Sequence, residues 1–275
     1  MLRSRVRGLV TSLANPQRRP QALLLRQRQA MSSHAPMTDE EWRKHTEESP
    51  PLCLAYVKEH AEAGNPQSVI DAIDTFCVTR RMMNVGATKG PIVDEQIRQK
   101  KPRVMAELGS YSGYSTVRFA SLQREVAGAE SHYYAFEFSP TFAEIVREMV
   151  AFAGLADHVT VFVGPTCTSS RARPSMYVGS LLDVRLDQLV ASPCWHGQIY
   201  FIDHEKSLYV DDAKLILASG TLQKGSLLAA DNVIMPGAPE YIEFLQNHPQ
   251  FTSTINKVTF SSGGVDAVMV SEFQG

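Results

Sequence analysis

RVMAELGSYSGYS, residues 103–115, runs from an apolar stretch straight into a turn with glycines at 109 and 113. A short apolar run closed by glycine reads as a strand buried on both faces. Four more runs share its character: HYYAFEF (132–138), HVTVFVG (158–164), QIYFIDH (198–204) and SLLAADNV (226–233), each ending on glycine, acids or amides. Helix-like segments such as SPTFAEIVREMVAFAGL (139–155) and VDDAKLILASGTL (210–222) lie between most of them. Short apolar strands alternating with helices imply a parallel sheet covered on both faces.

The tail reads differently. TSTINKVTF (252–260) and VDAVMVSEF (265–273) are close enough to pair through SSGG as a hairpin. The expected fold is therefore α/β, a seven-stranded, mostly parallel sheet with a C-terminal antiparallel hairpin and helices on both faces. That layout resembles the Rossmann-like class I methyltransferases. Upstream, TDEEWRKHTEESP (38–50) suggests a short helix starting at Thr38 or Asp39, with Pro50 beyond its end. PLCLAYVKEHAEAG (51–64) and NPQSVIDAIDTFCVTRRMM (65–83) suggest two more, the second capped by Asn65. MNVGATKG (83–90) breaks the pattern and PIVDEQIRQKK (91–101) restores it.

Residues 39–275 are expected to form one domain, with N-terminal helices over 39–100, the α/β core over 101–275, and a polar loop insertion at 165–177. Residues 1–38 carry seven arginines and no acid. Taking that +7 from the total of -2 leaves -9 for the remainder, so the body gives no electrostatic reason to bind nucleic acid. The basic arm reads as a mitochondrial transit peptide, a disordered tail, or sequence upstream of a start at Met31 or Met37. A cytoplasmic protein is expected otherwise, a monomer without a membrane span. Cys53, Cys77, Cys167 and Cys194 lack metal-site spacing.

In open α/β sheets, ligands bind beyond the carboxyl ends of the strands. The 109–113 turn has G-x-x-x-G spacing, which suits a nucleoside but lacks the dinucleotide signature G-x-G-x-x-G. Glu137, at the next strand end, is placed to accept hydrogen bonds from ribose hydroxyls. QIYFIDH continues into Glu205 and Lys206, and SLLAADNV supplies Asp231 and Asn232. Asp203, Asp231 and Asn232 are hard oxygen donors of the kind Mg²⁺ takes. Lys206 beside a divalent cation is suited to general-base work, since like charge disfavours an ammonium there. No G-x-S-x-G elbow supports a serine hydrolase.

GNPQSVIDAIDTFC, MNVGATKGPIVD, ELGSYSGYS, REMVAFAGL, FIDHEKSLY and LLAADNVIMPGAPEY resemble, in order, segments of the catechol O-methyltransferase family. The resemblance implies S-adenosylmethionine as donor, Mg²⁺ as cofactor, and a small catechol-type acceptor. It implies Asp203, Asp231 and Asn232 as metal ligands and Lys206 as the base. Asp266 falls where the family has a Glu that holds the acceptor's second hydroxyl, so Lys206, Asn232 and Asp266 would meet substrate. Met83, Val85, Glu107, Gly109, Tyr111, Ser115, Glu137, Asp203 and His204 would line the donor site, His204 near the adenine. Departures are Glu205 and Arg81, where the family has aromatic rings, and the insertion, which leaves the adenine contacts open between Thr166-Cys167 and Leu181-Leu182. A wider or more polar acceptor pocket is expected, with Arg81 and Glu205 able to pair. The alternatives are a caffeoyl-CoA-type O-methyltransferase and a non-catalytic nucleoside-binding relative.

Overall fold

The structure, a computed structural model, describes residues 37–164 and 199–275. Most of the basic arm, the 165–177 insertion and all four candidate adenine contacts lie outside the described residues. Among the described residues seven strands form one sheet, as expected, and their order is β3-β2-β1-β4-β5-β7-β6. They are β1 Val104–Leu108, β2 His132–Glu137, β3 Val159–Val163, β4 Ile199–Ile202, β5 Leu227–Ala230, β6 Phe251–Thr259 and β7 Val265–Phe273. Neighbours from β3 through β5 pair in parallel, whereas β7 pairs antiparallel with both β5 and β6. Strand order reverses between β1 and β4, which puts the ligand crevice at their carboxyl ends.

Helices α1 Asp39–His60, α2 Pro66–Thr79, α3 Gly86–Lys100, α4 Tyr114–Ala127 and α5 Pro140–Phe152 precede the break, and α6 Tyr209–Ala218 and α7 Pro239–Gln246 follow it. Alternate strand residues feed two cores. Met105, Tyr133, Phe201 and Val268 pack with Val57, Ile73, Ile97, Phe119 and Met149 from the first five helices. Leu108, Tyr200, Ile202 and Met269 pack with Tyr209, Ile216, Tyr241 and Leu245 from α6 and α7. The strands are apolar on both sides because helices cover both sides.

Two expectations about helix boundaries fail. The segments 38–50 and 51–64 make one helix, with Pro50 and Pro51 inside it. Each proline removes a donor, freeing the carbonyl four residues back. The Thr46 carbonyl, orphaned by Pro50, accepts a hydrogen bond of 2.9 Å from the Tyr111 hydroxyl, so a side chain from the glycine turn replaces the missing N–H. Thr38 caps this helix reciprocally with Glu41, and Asn65 caps α2 as expected. The second miss is α3, which begins at Gly86 rather than Pro91 and takes in most of the stretch read as a break. That earlier start places Lys89 in the first turn of a helix, under the ends of β5 and β7.

Candidate active site

Gly109 ends β1 with φ of +93°, and a Cβ there would lie 2.4 Å from the main-chain oxygen of Asp203. Only glycine allows both the turn and that approach, so the 109–113 turn is pressed against the end of β4. Glu137 stabilises the turn: its carboxylate accepts from the main-chain N–H groups of Ser110, Tyr111 and Ser139 at 3.2, 2.8 and 2.9 Å. Burial still raises its pKa against those amides. Glu107 is fully buried. Its Oε2 accepts from Thr116 at 2.5 Å and Ser110 at 3.4 Å, while Oε1 has no aligned hydrogen-bond partner among the described residues. Burial, with the Asp203 charge adding to it, pushes its pKa up to about 7 against the hydroxyls that favour the anion. Ser115, in the first turn of α4, and Val85, just ahead of α3, are buried, and Met83 is half-exposed.

The second cluster lies at the ends of β4 and β5 and the start of β7. Lys206 donates to Asp203 Oδ1 at 3.0 Å and to the Tyr209 hydroxyl at 2.7 Å. That hydroxyl also lies 3.0 Å from the carbonyls of Ile202 and Asp231, so it ties the two strand ends to the lysine. Lys89 was not singled out by the sequence, yet it is central here. Its ammonium lies 2.7 Å from both oxygens of Asp231, though only Oδ2 is aligned as an acceptor, and 2.8 Å from Asp266 Oδ2. Burial works to lower the Lys89 pKa, but the two carboxylates outweigh it and the pKa is raised. Burial and the Asp203 charge push Asp231 up to about 7 despite Lys89. Asp266 is also desolvated, but Lys89 and the amides of Met235 and Ala267 hold it below its ordinary value. The one sequence signal for Lys89 was its place in MNVGATKG, between two glycines and ahead of a proline.

Other expected residues take different roles. The His204 ring is enclosed, hydrogen-bonded through Nε2 to Asp212 and stacked on Tyr209. It therefore braces the β4 end, and only its main chain is left accessible. Arg81 and Glu205 do not pair. The Arg81 guanidinium lies 5.1 Å above the Trp42 ring, its carbonyl accepts from His45, and Glu205 caps the next turn by accepting from Ser207. Trp42 thus supplies an aromatic ring beside Arg81 that the sequence reading placed nowhere near it.

The donor set fits a hard divalent cation. Asp231 Oδ1 lacks an aligned donor, Asp203 shares only one of its oxygens with Lys206, and the Asn232 amide is held through Nδ2, leaving its carbonyl oxygen for another partner. Among the described residues no three His, Cys, Asp or Glu side chains converge on one ion. Asn232 and water or substrate must therefore complete any coordination.

A family profile described as "Methyltransferase domain" matches residues 106–233. The chain is 39% identical over 199 residues to a catechol O-methyltransferase of Bos taurus, covering 72% of this chain and 66% of that one. It is 40% identical over 205 residues to catechol O-methyltransferase B of Danio rerio, covering 74% and 70%. It thus spans about two-thirds of the length of these relatives. The crystal structure of a Bacillus cereus O-methyltransferase in complex with SAH superposes with a TM-score of 0.55 over 70% of this chain and 83% of that one, at 20% identity, a likeness of fold. Among the described residues no helix is long and apolar enough to cross a membrane.

Proposed function

The chain belongs to the catechol O-methyltransferase family, and from that premise we propose that it transfers a methyl group from S-adenosylmethionine to one hydroxyl of a small catechol-type acceptor, with Mg²⁺ as cofactor. One observation carries the reading. The glycine turn is packed on Asp203 itself, so a donor seated on the turn would meet the Asp203, Asp231, Asn232 and Lys206 cluster.

The donor is a cation at its sulfonium, and the acids Glu107 and Glu137 by the turn have no lysine or arginine partner among the described residues. In a water-poor crevice the ionised form of these acids favours a cationic ligand, and such a ligand in turn favours that form over the protonated one. Glu137 would take the ribose hydroxyls, while Met83, Val85, Gly109, Tyr111, Ser115 and the main chain of His204 line the remaining donor surface. Asp203, Asp231 and Asn232 would hold Mg²⁺, which when bound supplies a Lewis acid that acidifies a vicinal diol. Lys206 would accept the proton of the attacking hydroxyl at Nζ as the neutral amine, the form a divalent cation beside it would favour, with Asp203 and the Tyr209 hydroxyl holding its position. Methyl transfer to that oxygen is then chiefly a matter of alignment in a site closed to water.

Labelled-methyl transfer to a panel of catechols, with Mg²⁺ and after chelation, tests the proposal. Transfer that needs the metal is expected. A chain that binds the donor but methylates no catechol would instead be a nucleoside-binding relative of the family.

A further inference from the structure

The Asp266 carboxylate is 1% exposed and accepts four hydrogen bonds. Oδ2 takes Lys89 Nζ at 2.8 Å and Asn232 Nδ2 at 2.9 Å; Oδ1 takes the main-chain N–H of Met235 at 3.0 Å and of Ala267 at 2.7 Å. An ionised carboxylate offers about four lone-pair sites and no donor. All four are used inside the protein, so none is left for an acceptor hydroxyl.

We infer that Asp266 is a positioning residue for Asn232, locked in that role by Lys89, and not the group that holds the substrate's second hydroxyl. The inference rests on reading Asp203, Asp231 and Asn232 as a cation site. Because a carboxylate can only accept, Asn232 must turn its NH₂ toward Asp266 and its Oδ1 the opposite way. This fixes an amide orientation that is otherwise ambiguous. The Asn232 main chain is held too, with φ of +58° at the end of β5. Lys89 completes the arrangement by bridging Asp266 to Asp231, so one ammonium joins two neighbouring donors of the set to the start of β7. Residues that hold metal ligands from behind in this way set the affinity of the site.

The test is Mn²⁺ binding to the full chain, read as free Mn²⁺ by electron paramagnetic resonance, with S-adenosylmethionine binding as the check on folding. Asp266→Ala removes the acceptor opposite Asn232 and with it the lock on its orientation. The Mn²⁺ dissociation constant should rise about 10- to 100-fold, with donor affinity unchanged. Asp266→Glu keeps a carboxylate that accepts from both Asn232 and Lys89 and should recover most of the lost affinity. If Asp266→Ala fails to fold, Asp266→Asn stands in for it, since an amide accepts on only one side and must give up either Lys89 and Asn232 or the two main-chain N–H groups. Unchanged Mn²⁺ affinity with a raised acceptor KM, or no recovery in Asp266→Glu, overturns the inference while leaving the proposed activity standing. A wild-type chain that binds no Mn²⁺ overturns the cation reading and the inference together.

Discussion

The end of β1 and the ends of β4 and β5 both gather acids, but they neutralise them by different means. Around the glycine turn, Glu107 and Glu137 rely on hydroxyls and main-chain amides, which are dipoles and leave the net charge in place. Beneath β5 and β7, Asp203, Asp231 and Asp266 are met by two ammonium groups, Lys206 and Lys89. On the proposed reading the first arrangement suits a cationic ligand, whose charge would favour the ionised acids, and the second fixes geometry. Asp231 stands between the two cases. It shares Lys89 with Asp266 and still sits at about 7, like Glu107, because burial and the Asp203 charge outweigh the shared lysine.

Removing the proposed proton acceptor from the second region should have the largest effect. Lys206→Ala is expected to lower kcat by about 10²- to 10⁴-fold, with donor affinity, which the proposal assigns to the first region, nearly unchanged. Full turnover in steady-state assays would show that Lys206 is not the base. Next is the contact that joins the regions. Gly109→Ala combines a strained φ with a Cβ 2.4 Å from Asp203 oxygen. It should cost about 3 kcal/mol or more in urea unfolding and abolish donor binding in calorimetry. Wild-type donor affinity would mean the turn does not need that approach.

Much of the first region was legible in the sequence because its signals are local. An apolar run, two glycines and a trailing acid lie within a few residues of one another, and strand and helix periods differ plainly. The second region was legible only in part. Asp203, Asp231 and Asn232 mark strand ends, but Lys89 reaches them across 142 residues from Asp231 and 177 from Asp266, which no periodicity records. The role of Asp266 could not be read either, because the saturation of its lone pairs depends on amides brought in by tertiary structure. The same holds for the helix break assigned at Pro50, which fails because the replacement donor, Tyr111, lies 65 residues away.

That replacement gives a smaller effect. Tyr111→Phe removes the hydroxyl that satisfies the Thr46 carbonyl and should cost about 1 kcal/mol, with faster hydrogen exchange at Ser49, Leu52 and Cys53, the amides flanking Pro50 and Pro51. Unchanged exchange there would show that water serves Thr46 equally well. The effect that is smallest at neutral pH, and grows only in acid, is a background to both regions. Burial, with His132 and Arg124 adding to it, pushes the His158 imidazole down to about 4. As pH falls, the unfolded chain takes up that proton first, so the contribution is full above about 6.5 and is lost progressively toward pH 4. His158→Asn should flatten the pH dependence of the urea midpoint over that window, and an unchanged slope would place the acid sensitivity elsewhere.

The division between a donor-binding turn and a metal-and-lysine cluster is tested most directly by one comparison. Initial rates of methyl transfer are measured for a vicinal dihydroxyarene and its monohydroxy analogue, each with Mg²⁺ and with chelator, at saturating S-adenosylmethionine. The expected result is transfer to the diol alone, lost on chelation and restored by Mg²⁺. Equal rates for the two acceptors, indifferent to chelation, would contradict the assignment of Asp203, Asp231 and Asn232 to a cation that holds both oxygens.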